Sequence, residues 1–96
     1  MKLWIDDFRS APKGWLWAKT FAEALDILRT HDIIEVSFDH DLTDGEGNDE
    51  KTGYDIALWL ASRAFHGQSV PLVYHVHSMN SVGRDRIQGV IDRYLS

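Results

Sequence analysis

Val36-Ser37-Phe38-Asp39-His40-Asp41-Leu42 is the stretch whose reading decides the fold. Val36 and Phe38 fall on one side of an extended strand and Ser37 on the other, and three ionisable side chains follow where the strand should stop. Two carboxylates flanking an imidazole repel each other unless a cation, a proton or a hydrogen-bond network compensates, so a fold that gathers them needs a reason. The competing reading is a solvated acidic turn, in which Asp bonds nearby backbone. The flanking sequence decides between the two.

Upstream, Ile33 or Ile34 opens this strand. Before it, Thr20 and Glu23 make a capping-box pattern, and Phe21, Ala24, Leu25 and Leu28 recur at i, i+3, i+4 and i+7, which predicts a helix ending near Arg29 to Asp32. Trp15 to Lys19 predicts a short strand. Phe8 to Gly14, broken by Pro12 and Gly14, is a loop. Lys2 to Ile5 is a buried strand that ends in a second acidic pair, Asp6-Asp7.

Downstream, Thr43 to Lys51 is short of apolar residues and reads as a loop beside the site. A calcium loop counted from Asp39 would need glycine where Asp44 stands, which argues against calcium of that type. Thr52-Gly53-Tyr54-Asp55 leads into a helix whose expected buried side is Tyr54, Ala57, Leu58, Ala61, Ala64 and Phe65, with Gly67 as its stop. Leu72 to Ser78 predicts a strand with Leu72, Tyr74 and Val76 on one face and Val73, His75 and His77 on the other. Asn80 or Ser81 caps a last helix with an apolar face of Ile87, Val90, Ile91, Tyr94 and Leu95.

Strands alternating with amphipathic helices predict an α/β fold, a small three-layer parallel sheet with flanking helices, in a single domain over residues 1–96. Ligands in such folds sit outside the carboxyl ends of the strands. Asp6-Asp7, Asp39-His40-Asp41 and His77-Ser78 all fall at strand carboxyl ends, a convergence that chance turn composition explains poorly.

Composition narrows the chemistry. With no cysteine, disulfides, thiolate zinc sites and a cysteine nucleophile are excluded. The start, Met1-Lys2-Leu3-Trp4-Ile5-Asp6, is too short an apolar run for a signal peptide or a membrane span, so a cytoplasmic chain with no membrane partner is expected. A formal charge of −5 argues against duplex nucleic acid, for which any basic face must be local. A small anionic substrate held through a metal is compatible with it.

Asp6-Asp7 with Arg9, Asp39-His40-Asp41-Leu42, Thr52-Gly53-Tyr54-Asp55 and His77-Ser78-Met79-Asn80-Ser81-Val82-Gly83 together resemble the cyclic-phosphate processing receiver-like domain, a small relative of the phosphoacceptor receivers of two-component signalling. The resemblance spans nearly the whole chain. It implies a truncated receiver (flavodoxin-like) fold lacking the first helix and the last strand-helix unit, with a phosphoesterase role on cyclic phosphate ends. Phe8, where a charged residue is usual, and Ser81, where proline is frequent, depart from the pattern beside the matched positions.

The residue chemistry stands beside that likeness. Asp6, Asp7 and Asp39, with Asp41 as a further candidate, offer hard oxygen ligands to Mg²⁺ or Mn²⁺, without which three carboxylates would repel a phosphate ester. Asp39 would accept a phosphoryl group, as its counterpart does in an ordinary receiver, or water held at the cation would attack in line. His77 is the expected acid for the leaving ribose oxygen and His40 the residue that orients Asp41 or the water. His75 reads as a packed structural histidine, and His31 and His66 as helix C-terminal caps. Ser78 and the amides from Asn80 to Val82 would meet phosphoryl oxygens, and Arg9 and Arg84 would hold phosphate. Asp55 either caps its helix or bonds a site histidine.

No lysine follows Lys51, which argues against an ordinary phosphorylation switch. Two functions of different class follow: a metal-dependent phosphoesterase acting on RNA ends or cyclic nucleotides, or a module that binds a phosphorylated ligand or docks a protein partner without turnover. The expected ligand is a small phosphorylated nucleotide or an RNA end. Trp15, Trp17 and Trp59 are candidates for a homodimer surface.

Overall fold

Four parallel strands, β1 (Lys2–Ile5), β2 (Leu16–Ala18), β3 (Glu35–Phe38) and β4 (Val73–Val76), form a sheet of order β2-β1-β3-β4 in the computed structural model, which describes residues 1–42 and 51–96. Helices α1 (Phe21–Thr30), α2 (Gly53–Phe65) and α3 (Ser81–Val90) complete it, and α3 runs on into a π-helical turn, Ile91–Leu95. This is the truncated receiver order expected of the alternating pattern. The Thr43 to Lys51 loop falls, for residues 43–50, outside the described residues.

Register explains which side of the sheet is buried. Leu3 pairs with Leu16 and Val36, Ile5 with Ala18 and Phe38, and Phe38 with Val76, so these side chains share one face. Leu25 and Leu28 of α1, Ile56 and Leu60 of α2 and Ile87 and Val90 of α3 join them in one core. All three helices therefore lie on this face, with α2 between α1 and α3.

The flanking helices are thus one-sided, and the remaining layer is not helical. Lys2, Trp4, Trp17, Glu35, Ser37, Val73 and His75 line the opposite face. There the connection from β1 to β2, residues 6–15, is a loop in place of the usual crossover helix. It is tied down by aromatic side chains. Trp4 Nε1 donates to the Arg9 carbonyl at 3.0 Å, and Trp15 meets the Trp4 ring edge-on at 6.0 Å. Trp17 carries Lys19 over its ring and Trp59 carries Arg63, so each has an intramolecular partner.

Local signals fix the helix starts. Thr20 Oγ1 accepts from the Glu23 amide, Asp55 accepts from the Thr52 amide in a capping box, and Asn80 Oδ1 accepts from the Gly83 amide. Asp55 is thus the cap of α2. Gly67 ends α2 with a positive φ of 73°. The buried side of α2 is Gly53, Ile56, Ala57 and Leu60, one position off the expected stripe, and Leu58 and Phe65 are exposed. The shift arises because Gly53 is the contact with the sheet edge. Among the described residues no helix is long and apolar enough to cross a membrane.

Candidate functional site

Asp6 follows β1 directly and is almost fully buried. Its Oδ1 accepts the Phe8 and Arg9 amides, both at 2.7 Å, so the turn after β1 folds around the carboxylate. Trp17 Nε1 donates to the Asp6 carbonyl at 2.7 Å. The opposite oxygen, Oδ2, lies 3.0 Å from His77 Nε2. Among the described residues, one acceptor direction of Oδ2 is left for another ligand.

Asp7 and Asp39 complete the cluster. Each of Asp6, Asp7 and Asp39 offers an oxygen within 4.8 Å of the others. Asp39 Oδ1 accepts the His40 amide at 2.8 Å, and the Ser78 hydroxyl bonds the same carboxylate. Burial pushes the Asp39 carboxyl above the usual range, and the charge of Asp6 adds to the rise against the pull of Ser78, the His40 amide and His77. At Asp39 the hydrogen bonds and the nearby imidazole therefore do not offset burial and the charge of Asp6.

Two glycines let this edge close. Gly53 sits where a Cβ would collide with the Asp39 carbonyl, and its amide donates to the His40 carbonyl at 2.8 Å. Gly83 sits where a Cβ would strike the His40 ring. His40 thus fits between β3 and the start of α3, and its Nδ1 meets Asp41 Oδ1 at 2.9 Å. Among the described residues its Nε2 has no hydrogen-bond partner.

His77 stands beside the acids, but both ring nitrogens are engaged, Nε2 by Asp6 and Nδ1 by Ser37 Oγ at 2.7 Å. The ring also stacks on Trp4 with centroids 3.8 Å apart. Burial pulls its pKa below 6.5, with the Arg9 charge acting the same way, and this outweighs the attraction of Asp6 and Asp39. The contact with Asp6 is accordingly a hydrogen bond from a neutral ring, Nε2–H donating and Nδ1 accepting from Ser37, although its length would also suit an ion pair.

The other expected residues are more scattered. Asp41 stays outside the three-acid cluster, its side chain 61% exposed and reached by Asn80 Nδ2 at 3.5 Å. It lies three residues past the end of β3. Ser78 is buried, and its oxygen also accepts the Asn80 amide at 3.1 Å. Arg9 reaches the His77 carbonyl at 3.4 Å from an exposed position. Arg84 is exposed on the first turn of α3, without a side-chain hydrogen bond or ion pair among the described residues. His75 is half-exposed and pairs with Glu35 at 2.8 Å rather than packing inside. His31 and His66 do end α1 and α2.

Residues given no site role from sequence carry much of the support: Trp4, Trp17, Ser37, Gly53 and Gly83. Strand alternation held one usable signal, because Trp4, Ser37 and His77 fall on the same sheet face once the register is known.

A four-stranded parallel sheet in this order, with three carboxylates at its carboxyl edge, defines a receiver-type domain. The model of the cyclic-phosphate processing receiver domain matches residues 1–93, and the chain belongs to that family. Comparison with curated proteins and with solved structures returned no match.

Proposed function

We propose that this domain is a metal-dependent phosphoesterase that opens cyclic phosphates, either 2′,3′-cyclic RNA ends or cyclic nucleotides. The observation that carries the reading is the approach of Asp6, Asp7 and Asp39 within 4.8 Å at the edge where His40 and Ser78 also stand. The donor set fits Mg²⁺ or Mn²⁺: hard oxygens only, an acceptor direction on Asp6 that no described residue takes, and an Asp39 carboxyl pushed up by burial and by the charge of Asp6. When bound, such a cation neutralises phosphate oxygens and makes their approach to the carboxylates favourable.

The chain's own residues divide the remaining work. Asp6 is immobilised by two amides and His77, which fixes the cluster's geometry. The Nδ1 contact with Asp41 leaves His40 Nε2 as the ring atom that delivers a proton to the departing ribose oxygen as the phosphorus–oxygen bond breaks. Asp39 takes the proton of the attacking water. The engaged nitrogens of His77 suit a positioning residue better than an acid. Arg9 and Asn80 flank the cluster and hold the phosphate's outer oxygens.

The test is incubation with 2′,3′-cyclic mononucleotides and Mg²⁺ or Mn²⁺, with and without chelator. Release of the opened monophosphate, lost on chelation and in Asp39→Asn and His40→Gln, supports the reading. Tight binding with the ligand recovered unchanged would overturn it in favour of a non-catalytic module.

A further inference from the structure

A groove of about 350 Å³ lies between α2 and α3 with its π-helical extension, bordered by Tyr54, Leu58, Arg86, Gly89, Arg93 and Tyr94. We infer that this groove holds the single-stranded RNA leading to the cyclic phosphate, so that the substrate is an RNA end rather than a free cyclic nucleotide. The inference rests on the phosphoesterase reading and adds a second binding region to it.

Three observations point to this occupant. The first is charge: the chain carries a formal −5, yet no described carboxylate lines the groove and two arginines do. Among the described residues neither guanidinium has a carboxylate within ion-pair distance, and Asp92, next to Arg93, accepts the Gln88 amide at 2.9 Å. A polyanion is the complementary ligand.

The second is the pairing of each arginine with an aromatic ring. Arg86 lies over Tyr54 at 4.4 Å and Arg93 by Tyr94 at 5.5 Å. Rings that stack bases beside guanidiniums that meet phosphates are the parts from which single-strand grooves are built. Arg86 on α3 and Arg93 on the π-helical turn that continues it both border the groove, about 10 Å apart along the helix axis. The upper end adjoins the acids, since Tyr54 follows Gly53, whose amide bonds the His40 carbonyl.

The third is Gly89. A Cβ there would meet nothing within 4 Å and its φ is not positive, so the fold does not require glycine where α3 runs on into the π-helical turn. Glycine weakens a helix interior. Its effect here is to keep the groove open where a side chain would enter.

The test is fluorescence anisotropy with a short 5′-labelled single-stranded RNA ending in a 3′-hydroxyl, with a polyglutamate peptide in parallel. Two phosphate contacts give a log–log salt slope of about −1.4 for a single strand, and Arg93→Ala should halve that slope and weaken binding about tenfold. Gly89→Glu should weaken it further, while Gly89→Ala, melting like a folded protein, should bind nearly as the parent does. RNA affinity unmoved by both Arg93→Ala and Gly89→Glu, or peptide binding as tight as RNA binding, would overturn the groove assignment. The 3′-hydroxyl RNA is no substrate for ring opening, so the two readings fail separately. Mononucleotide turnover without RNA binding sinks only the groove, and RNA binding without any turnover sinks only the phosphoesterase.

Discussion

Alanine at two glycines of the same helical pair should act with opposite signs. At Gly53 the added Cβ would lie against the Asp39 carbonyl oxygen and carbon and 3.2 Å from Ile87 Cδ1. Two of those atoms are backbone at the end of a central strand, so no rotamer relieves the clash. Either α2 moves outward or β3 is pushed aside, and both stretch the buried bond from the Gly53 amide to the His40 carbonyl, now 2.8 Å. Overpacking of about 2 kcal/mol plus a weakened hydrogen bond of about 1 kcal/mol gives a loss near 3 kcal/mol. For a chain of this size that lowers Tm by roughly 12–24 °C. Gly89→Ala meets nothing and should gain about 0.5–1 kcal/mol from helix propensity, raising Tm by about 3–6 °C. Thermal melts followed by far-UV circular dichroism measure both. A Gly53→Ala protein that melts with the parent would refute the claim that the close approach of α2 to Asp39 organises the site.

Other expectations follow from buried polar groups. His77 has a pKa pulled below 6.5 in the fold, so the unfolded chain takes up the proton more readily. Stability should be full above that value and fall as pH drops through 6.5 to the folded pKa, a slope that urea midpoints should show in the parent and not in His77→Gln. Asp39 has the opposite sign: its carboxyl is raised above 3.8, so without divalent cation stability should fall as pH rises from 3.8 through the folded value. Asp39→Asn should therefore melt higher than the parent at neutral pH in chelator, and Mn²⁺ should raise the Tm of the parent but not of the variant. Tyr74 Oη is buried without a partner among the described residues, and burial pushes its pKa up to about 12. Tyr74→Phe should be neutral or stabilising by up to about 1 kcal/mol in chemical denaturation, and a large loss would reveal a partner for the hydroxyl.

Periodicity made most of the architecture legible. The capping pair Thr20 and Glu23 mark α1, alternation marks β3 and β4, and acids at strand ends mark the candidate edge. The errors have local causes. The stripe on α2 was read from its largest residues, Tyr54, Leu58 and Phe65, but a helix turns toward what it must approach most closely, here the Asp39 carbonyl, and only glycine permits that approach. Asp41 looked equivalent to Asp39 because both flank His40, whereas one residue beyond a strand end and three beyond it face different surroundings. The single-sided placement of the helices was hidden for another reason. The loop of residues 6–15 replaces a helix, and aromatic side chains rather than a hydrophobic period secure it.

That substitution bears on the chemistry. In a sheet covered by helices on both faces, an acid at the strand edge is held by packing above and below. Here Asp6 is held from the uncovered side by a chain of contacts: Trp4 stacks on His77, Ser37 fixes the outer ring nitrogen, and the inner nitrogen donates to Asp6 Oδ2. Trp4 also anchors the loop whose Arg9 amide bonds the other oxygen of the same carboxylate. One indole therefore braces both sides of one carboxylate. Because the imidazole is neutral when it donates, it orients Asp6 without cancelling the charge that a cation would need, which a lysine or arginine in its place would do. A histidine buried against tryptophan is thus better suited to this position than a stronger cation, and it ties the exposed sheet face to the geometry of the acidic edge.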